Sequence, residues 1–389
     1  MATTLAILGG GQLAQMLGDA ATGLGIGSRA LDPDPDACAA RSCEMIRGEL
    51  SDPAALEALL DGANAVTIDR ESVPPEAIDA ALRAGVPIRP GRAALDAASD
   101  RLHEKQLFVE LGMRVPAFEA VDDIGQLRES LQRVGFPAML KARRGGYDGR
   151  GQAVIRHEED IEPAWRIVGV PSIIEERVEL LSEVSAILCR DDTGHAVHYP
   201  LTKNVHEHGI LIRSDAPADA PGETAAEAAE WANALADRLS YVGVLALELF
   251  ITPRGLLANE FAPRVHNSGH WTIEGAAASQ FENHVRAVCG LPIKPAEARA
   301  YSAMLNIIGG LPEASPPHPA ALTRNADAAE PSWHLYGKDP RPGRKLGHVT
   351  VSGDSPATVE QIIETLAGEV RASNRFAQSA VLPSEQTRP

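Results

Sequence analysis

One stretch, residues 259–271, constrains this chain more than any other, because it combines a carboxylate, a guanidinium, two imidazoles and two amides. It reads Asn-Glu-Phe-Ala-Pro-Arg-Val-His-Asn-Ser-Gly-His-Trp. The preceding residues predict how it is held. Val244–Ile251 is a buried strand, apolar except for Glu248, and residues 252–255 are typical of a turn. Leu256–Phe261 then returns as the second strand of a β-hairpin.

The hairpin register places Glu248 opposite Asn259 or Glu260. Two carboxylates that approach each other on buried strands repel unless a positive group lies between them. A divalent cation meets this requirement, and Mg²⁺ favours one or two protein carboxylates together with phosphate oxygens and water. The alternative is an ion pair in which Arg264 neutralises Glu260. The hairpin alone does not distinguish the two interpretations.

Composition sets the outer bounds on fold and function. A chain of 389 residues with 44% hydrophobic residues and 34 glycines fits an α/β protein of two or three domains. Its net charge of −17 argues against a nucleic-acid surface, so basic clusters become candidate anion sites. Four scattered cysteines without a Cys-x-x-Cys pair indicate reduced thiols in a cytoplasmic protein. We identify no signal peptide and no apolar run long enough to cross a membrane.

The N-terminus predicts a Rossmann-like unit. A strand, Thr4–Leu8, precedes a glycine loop and a helix that extends to about Leu24. Gly9, Gly11 and Ala14 match the loose G-x-G-x-x-G/A pattern and Asp32 follows about twenty residues later, which is weak evidence for a dinucleotide. Further strand–helix units follow: helices at about 52–60 and 75–84, and strands at 65–68 and 86–88.

Two polar side chains at this end of the chain are candidate ligand contacts. Gln12 stands at the exit of the glycine loop, where its amide could bind a ligand. Glu71 follows the strand at 65–68, and open sheets bind ligands at the carboxyl ends of their strands. From its position alone, however, Glu71 is better explained as a surface residue.

A helix predicted at Asp96–Gly112 carries Arg101 and Lys105 four residues apart, and therefore on one face. That face is a candidate anion site, although a solvated face is the more common reason for such a pair.

A cationic loop with four glycines and three arginines lies between two predicted strands, Phe136–Lys141 and Ala153–Ile155. Such a hairpin tip can place backbone N–H groups on phosphates and close over them as a lid. It is not a Walker A loop, because no G-x-x-x-x-G-K-[ST] occurs. The neighbouring Lys141, Tyr147 and Asp148 favour a functional loop over a plain glycine-rich connection.

The rest of the chain is predicted more coarsely. Strands are expected at 172–178, 185–188, 300–308 and 347–351, and helices at 220–239, 271–291 and 358–368. A loop is expected to carry His206 and His208, and the polar residues after 373 are expected to fray. A basic turn at 333–345 contains Lys338, Arg344 and Lys345.

The motifs together resemble the ATP-grasp superfamily: a lysine-bearing strand before a glycine-rich lid, a hinge strand with glutamate, and a late Glu…Asn-Glu pair. Within it, the chain most closely resembles the N5-carboxyaminoimidazole ribonucleotide synthetase family. The motifs that carry the resemblance, in family order, are Gly9–Leu13, Gly145–Gly149, Glu183–Ser185, Gly243–Phe250, Asn259–Trp271, Ser279–Phe281, and Tyr336–Lys338 with Gly347–His348.

The resemblance implies an α/β (α+β) ATP-grasp fold with a Rossmann-like N-terminal domain at 1–98, a lid domain at 99–185, a C-terminal domain at 186–372 and a polar tail at 373–389. It implies that ATP phosphorylates bicarbonate to carboxyphosphate, which carboxylates 5-aminoimidazole ribonucleotide and leaves ADP and phosphate. It also implies one or two Mg²⁺ ions, a homodimer, and no nucleic-acid or membrane partner. The nearest alternative is another ATP-grasp carboxylate–amine ligase, such as formate-dependent glycinamide ribonucleotide transformylase.

The resemblance also assigns residues. The ATP-binding group would be Arg101, Lys141, Gly146, Tyr147, Asp148, Gly149, Arg150, Gly151, Gln152, Glu175, Glu176, Arg177, Val178, Glu183, His206, Asn259 and Glu260. Mg²⁺ would be held by Glu248 and Glu260. The ribonucleotide and bicarbonate would meet Gln12, Leu13, Glu71, Arg150, Asn267, Lys338, Arg344 and Lys345. Catalytic roles would belong to Tyr147, Asp148, Arg264 and His266. The chain has Asp69-Arg-Glu-Ser72 where the family tends to have Glu-x-Glu-Asn, so the roles of Asp69 and Ser72 are not implied.

Overall fold

The structure of the protein, a computed structural model, describes residues 3–146, 151–312 and 329–379, with 374–379 described by their backbone alone. Its N-terminal part is a four-stranded parallel sheet with helices, as the Rossmann-like pattern predicted. In chain order its elements are β1 (Thr4–Leu8), α1 (Gln12–Gly23), β2 (Gly27–Asp32), β3 (Glu44–Arg47), α2 (Pro53–Leu60), β4 (Ala65–Ile68) and α3 (Pro75–Arg83). The strand order is β3-β2-β1-β4. The short strand expected at 86–88 is present only as a bridge between Val66 and Ile88.

The single helix predicted at Asp96–Gly112 is wrong: the segment forms α4 (Arg92–Ala98) and α5 (Arg101–Glu110). The break has a local cause, because Asp100 has an extended backbone and its side chain accepts a hydrogen bond from the Leu102 amide. An aspartate in this position starts a new helix rather than continuing the old one. The prediction that Arg101 and Lys105 share a face is unaffected, since both lie in α5.

The middle of the chain forms a small antiparallel sheet, called the lid sheet below, which is covered by two helices. Its elements are β5 (Phe118–Val121), α6 (Ile124–Val134), β6 (Ala138–Ala142), β7 (Gln152–Ile155), α7 (Ile161–Val168) and β8 (Ser172–Glu176), and the strand order is β5-β8-β6-β7. The predicted hairpin around the glycine-rich loop is confirmed, because β6 and β7 pair from Ala138–Ile155 to Lys141–Gln152. Four predicted site residues in its tip lie outside the described residues: Tyr147, Asp148, Gly149 and Arg150.

The C-terminal part forms a nine-stranded sheet, the large sheet, with its helices. Its elements are β9 (Ser182–Arg190), β10 (Ala196–His198), β11 (Thr202–Glu207), β12 (Ile210–Ala216), α8 (Gly222–Arg238), β13 (Gly243–Thr252), β14 (Gly255–Ala262), α9 (Thr272–Gly275), α10 (Gln280–Val288), β15 (Tyr301–Ile308), β16 (Pro331–Leu335), β17 (Lys345–Gly353) and α11 (Pro356–Ser379). The strand order is β14-β13-β9-β11-β12-β15-β17-β16, and β10 pairs with β9.

Three predictions about this sheet need correction. The segment expected as a loop is a β-hairpin: His206 lies on β11, and the turn uses His208 and Gly209, both with positive φ. The helix expected at 271–291 is interrupted between α9 and α10, because Ala276 bridges to Ala298 and Ser279 caps a second helix. The last helix continues to Ser379, so the tail expected from 373 is helical over its first residues.

The N-terminal sheet and the C-terminal sheet share one apolar core and are also joined by one buried histidine. The lid sheet ends at Glu176, and β9 begins at Ser182, ahead of the boundary expected at 185. His284 on α10 accepts a hydrogen bond at Nδ1 from the Val244 amide (3.0 Å), so its Nε2–H donates to Thr67 on β4 (2.7 Å). Burial lowers the pKa of His284 to about 3, consistent with a neutral ring between the two domains.

Among the described residues no helix is long and apolar enough to span a membrane.

Candidate active site

The hairpin of β13 and β14 has the predicted register, with Glu248 opposite Glu260. The alternative pairing of Glu260 with Arg264 is wrong. Glu260 Oε2 lies 2.6 Å from a guanidinium nitrogen of Arg101, whereas Arg264 lies 2.5 Å from Glu71 Oε1. Residues 259–271, the polar stretch, therefore extend their side chains in two directions. Glu260 points toward α5, and Arg264 points toward the N-terminal sheet.

The face of α5 that carries Arg101 and Lys105 is buried against the lid and the hairpin, so the solvated-face interpretation is wrong. Lys105 is 2% exposed, and its ammonium lies 3.0 Å from Glu175 Oε1 and 3.3 Å from the Ala258 carbonyl oxygen. Lys141 on β6 approaches the other oxygen of Glu175 at 2.5 Å. One carboxylate on the lid sheet thus holds two ammonium groups, from α5 and from β6.

Charge pairing at these groups is strong enough to overcome their burial. Burial alone would raise the pKa of Glu175, but Lys105 and Lys141 lower it to about 2. In Glu260 the effect of burial is likewise reversed, chiefly by Arg101, and the pKa is again about 2. Glu104 is the exception: burial and then the nearby Glu260 raise its pKa to about 8, while its Oε1 accepts a hydrogen bond from the Phe261 amide. The ion pairs therefore favour the charged forms of Glu175 and Glu260, whereas the surroundings of Glu104 favour its protonated form.

The donor atoms around Glu248 and Glu260 suit a hard cation. The Asn259 side-chain oxygen is buried and has no hydrogen-bond partner among the described residues. Glu248 Oε1 lies 3.0 Å from His266 Nε2, while the Ser268 hydroxyl lies 2.8 Å from Nδ1 and fixes the ring. No group of three or more His, Cys, Asp or Glu side chains in the described ranges could hold a metal by itself. Two carboxylates and an amide fit Mg²⁺ when phosphate oxygens complete its shell.

Other described members of the predicted ATP group lie on or next to the strands of the lid sheet and the large sheet. Glu183 Oε2 and His206 Nδ1 are 2.7 Å apart, and this contact raises the pKa of His206 although burial opposes it. The Gly146 carbonyl accepts a long hydrogen bond from Arg101 (3.4 Å). The Glu176 side chain pairs with Arg254 at 2.8 Å. Four more members lie on the strands and connections around the junction: Gly151, Gln152, Arg177 and Val178.

The predicted acceptor residues converge at the other end of the polar stretch. Gln12 Oε1 accepts a hydrogen bond from Lys338 Nζ at 2.6 Å, and that ammonium lies 5.6 Å from the centroid of the Tyr336 ring. Burial lowers the pKa of Lys338, and the charges of Arg344 and Lys345 lower it further. The three cations of the basic turn are thus within electrostatic reach of one another.

Two other predicted acceptor residues, Asn267 and Leu13, differ in the polar atoms that they could present to a ligand. Both side-chain polar atoms of Asn267 are buried without a hydrogen-bond partner in the described part of the chain. Such orphaned amide atoms are expected to bind water or a ligand. The Leu13 side chain is 7% exposed and belongs to the apolar core, so only its backbone is available for a polar contact.

The glycine loop before α1 does not bind a dinucleotide in the way its sequence pattern suggests. Asp69 accepts hydrogen bonds from the amides of Gly11 (2.8 Å) and Ala14 (2.9 Å), and Asp32 accepts one from Gly10 (2.8 Å). The helix N-terminus, where a pyrophosphate would lie, is therefore filled by the chain's own carboxylates. The weak dinucleotide interpretation is wrong.

Sequence reasoning missed two members of the site. Lys105 was placed on the right face of α5 but not assigned to the ATP group. Asp100 accepts hydrogen bonds from Arg143 (2.9 and 2.7 Å) and Arg144 (3.2 Å), so it joins the base of the glycine-rich loop to the start of α5. The available signal was local: an aspartate immediately before Arg101 is a helix cap, and the loop's arginines needed a partner.

His348 packs against His270 of the polar stretch and against His334, with distances between ring centroids of 4.6 Å and 4.4 Å. Burial lowers the pKa of His270 and of His348 well below the ordinary value of 6.5. The unfolded chain would therefore bind protons below pH 6.5 that the folded protein does not.

We expect the free energy of unfolding to fall as the pH decreases below 6.5, by about 1.4 kcal/mol per pH unit for each proton taken up on unfolding. Urea unfolding at several pH values between 7.5 and 5 measures this. Replacing the buried His284 by Gln should reduce the slope, because burial lowers the pKa of this histidine too. If the free energy of unfolding fell equally steeply with pH in the parent and in His284→Gln, the buried histidine would not be a source of the pH dependence.

Known proteins match this chain over most of its length. Three family models match: the ribonucleotide synthetase preATP-grasp domain at 1–99, the ATP-grasp domain at 106–281, and the phosphoribosylaminoimidazole carboxylase C-terminal domain at 302–362. The N5-carboxyaminoimidazole ribonucleotide synthase of Pseudomonas aeruginosa is 43% identical over 369 residues, covering 95% of this chain and 99% of the relative. That of Mycobacterium tuberculosis is 39% identical, covering 94% and 87%.

Solved structures agree. The N5-carboxyaminoimidazole ribonucleotide synthetase of Thermus thermophilus is 43% identical with a TM-score of 0.85, covering 94% of this chain and 98% of that one. The N5-carboxyaminoimidazole synthase of Aspergillus clavatus, in complex with ADP and 5-aminoimidazole ribonucleotide, is 29% identical with a TM-score of 0.85, covering 95% and 99%.

Proposed function

The chain belongs to the N5-carboxyaminoimidazole ribonucleotide synthase family, and on that premise we propose how its residues carry out the family's reaction. The protein is an ATP-grasp ligase that carboxylates 5-aminoimidazole ribonucleotide to N5-carboxyaminoimidazole ribonucleotide at the expense of ATP, in purine biosynthesis. The observation that supports the site best is the cluster of Arg101, Lys105 and Lys141 facing Glu175 and Glu260, where lid and large sheet meet.

ATP lies in this proposal between the lid and the large sheet. Arg101 and Lys141 neutralise its phosphates, and Lys105 holds Glu175 so that the Lys141 ammonium is fixed in position. Phosphoryl transfer depends mainly on positioning and charge neutralisation, which is what preorganised cations provide. Glu183 and His206, already in contact, bind the ribose and phosphate side, and the backbone after β8 supplies the adenine hinge.

Mg²⁺ would be held by Glu248, Glu260 and Asn259, and when bound it would neutralise charge on the transferred phosphoryl group. One oxygen of each carboxylate is used in the described ion pairs, with His266 and Arg101. The Glu260 side chain is 36% exposed, so a ligand has access to it. His266 acts by holding Glu248, and its own ring is oriented by Ser268.

Bicarbonate is the proposed carboxyl donor, activated by ATP as carboxyphosphate. This intermediate hydrolyses readily, so the site must exclude water, and a lid over the junction serves that purpose. Arg264, held by Glu71, would orient the acceptor beside it, and Asn267 offers two unpaired polar atoms for ligand contact. Tyr147, Asp148 and Arg150 keep their proposed roles in catalysis and acceptor binding from the family resemblance. A homodimer and a cytoplasmic location complete the proposal.

One assay tests the function. ATP turnover should require both 5-aminoimidazole ribonucleotide and bicarbonate, and ADP should form in a one-to-one ratio with N5-carboxyaminoimidazole ribonucleotide. Glycinamide ribonucleotide with formate, the acceptor and donor of the alternative ligase, should not stimulate ADP release. Turnover that depends on the second pair and not on the first would overturn the proposed acceptor.

The basic turn is expected to bind the ribonucleotide's phosphate. Removing the Lys338 ammonium should raise the KM for 5-aminoimidazole ribonucleotide by about 10- to 100-fold, because a charge-assisted bond to a phosphate is worth about 1.5–3 kcal/mol. Steady-state kinetics of Lys338→Ala and Arg344→Ala, with each substrate varied in turn, measure the effect. The KM for ATP should change little.

The matched control is Lys294→Ala, which removes a lysine paired with Glu282 far along the chain from the turn. It should leave both KM values near those of the parent. A parallel rise in both KM values for Lys338→Ala, or a rise for ATP alone, would assign the turn to the nucleotide or to the fold instead.

A further inference from the structure

The carboxylate of Asp69 has contacts that the reaction does not explain. It directly follows β4, and it accepts hydrogen bonds from Gly11 N at 2.8 Å and from Ala14 N at 2.9 Å. Both amides belong to the beginning of α1, where a helix leaves its N–H groups without internal partners. Asp69 therefore caps α1 from a neighbouring strand, as a capping side chain usually does from the residue before the helix.

The glycines of the loop leave the space that this carboxylate occupies. The residue immediately before α1, Gly11, has no side chain with which to cap the helix. A Cβ at Gly11 would lie 2.5 Å from Asp69 Oδ2, and one at Gly9 would lie 2.9 Å from Asp69 Cβ. The glycine pattern and the aspartate thus fit each other, with no dinucleotide needed to explain them.

Gln12 lies between the two amides that Asp69 holds. Its side-chain oxygen accepts a hydrogen bond from Lys338 at 2.6 Å, which connects α1 to the basic turn. Asp69 is also within electrostatic reach of two cations of the acceptor site. It opposes the lowering of the Lys338 pKa that burial causes, and Arg264 in turn opposes the raising of the Asp69 pKa by burial.

We propose that Asp69 is a positioning residue of the acceptor site: by capping α1 it fixes the backbone on both sides of Gln12, and Gln12 in turn fixes the ammonium of Lys338. This proposal rests on the proposed acceptor role of Gln12 and Lys338. Asp69 is directed to the backbone and does not itself bind the substrate. Losing its charge should weaken binding of the ribonucleotide and leave ATP binding unchanged, because the ATP cations lie on α5 and β6.

A double-mutant cycle between Asp69→Asn and Gln12→Ala tests the proposal. Asparagine has the same size, but its NH₂ group faces one of the two N–H donors and cannot accept from it. In the full-length enzyme we expect Asp69→Asn to raise the KM for 5-aminoimidazole ribonucleotide about tenfold, equivalent to a tenfold change in affinity. The KM for ATP should change by less than about twofold. In the Gln12→Ala background the same change should have no further effect, since residues that act through one another are not additive.

Asp32→Asn is the matched control, because Asp32 holds the adjacent amide of Gly10 at 2.8 Å but does not flank Gln12. Its KM values should stay near those of the parent. Gly11→Ala is a second route to the same displacement, since its Cβ would press on Asp69 Oδ2 while the φ of −73° suits alanine. Gly11→Ala should raise the KM for the ribonucleotide and not the KM for ATP. If Asp69→Asn does not fold, this variant provides the test of the role of Asp69.

Additive effects of Asp69→Asn and Gln12→Ala would overturn the proposal, and so would an equal rise in both KM values. An equal effect of Asp32→Asn would also overturn it, because it would show general loosening of the loop. Failure of the proposed function gives a different result: the parent enzyme would not turn over 5-aminoimidazole ribonucleotide, or Lys338→Ala would leave its KM unchanged.

Discussion

Glu260→Gln is expected to abolish ATP cleavage while the protein remains folded. The change removes a proposed cation ligand and the anionic partner of Arg101, which lies 2.6 Å away. Loss of charge stabilisation at a transferring phosphoryl group costs several kcal/mol, so kcat should fall by about 10²-fold or more. ADP release under saturating substrates measures the effect, and Glu248→Gln should show a comparable loss.

The control for Glu260→Gln is Glu227→Gln, which removes a carboxylate paired with Arg114 outside the site. It should retain the turnover of the parent. Circular dichroism and thermal unfolding establish that each variant is folded. Parental turnover in a folded Glu260→Gln variant would refute the role of the carboxylate pair.

Glu175→Gln is expected to lower the free energy of unfolding by about 3–5 kcal/mol, the usual cost of removing one partner from a buried ion pair. Glu175 and Lys105 are 3% and 2% exposed, and Lys141 shares the same carboxylate. A neutral amide would leave the buried Lys105 ammonium without its ion-pair partner and beside the ammonium of Lys141, and the two like charges would repel. Urea unfolding at pH 7 measures the change in midpoint.

Glu119→Gln is a suitable comparison, because Glu119 pairs with Arg133 at the surface of the same lid sheet. Surface pairs contribute little, so its unfolding midpoint should stay close to that of the parent. If Glu175→Gln were as stable as Glu119→Gln, Lys105 and Lys141 would have to be neutral or paired with another anion. The role of Glu175 as the anion that pairs with both lysines would then be refuted.

Local patterns in the sequence were sufficient to predict the β-hairpins and the side chains that the hairpins bring together. The register that pairs Glu248 with Glu260 follows from alternation of apolar residues and a turn, both contained within the segment itself. The same holds for the strand pair around the glycine-rich loop. Each is a contact between residues close in the chain, which periodicity can specify.

Partners from distant segments could not be read from local patterns. Spacing along the chain offered Arg264 as the cation for Glu260, but its partner is the distant Arg101, because α5 packs against β14. The breaks at Asp100 and Ser279 were missed for a different reason. A helical pattern continued on both sides of each break, and the capping residue outweighed it. The family resemblance supplied residue roles that no local pattern specified.

In the proposed site, the guanidinium of Arg101 would serve both the nucleotide's phosphates and the carboxylate that holds the cation, and this would link the binding of the two ligands thermodynamically. It donates to Glu260 and to the carbonyl of Gly146 at the base of the glycine-rich loop. A triphosphate that draws this cation away leaves Glu260 with an uncompensated charge, which favours a divalent ion there. By reciprocity, the ion must strengthen nucleotide binding by the same factor. Nucleotide and cation should therefore enter this site cooperatively.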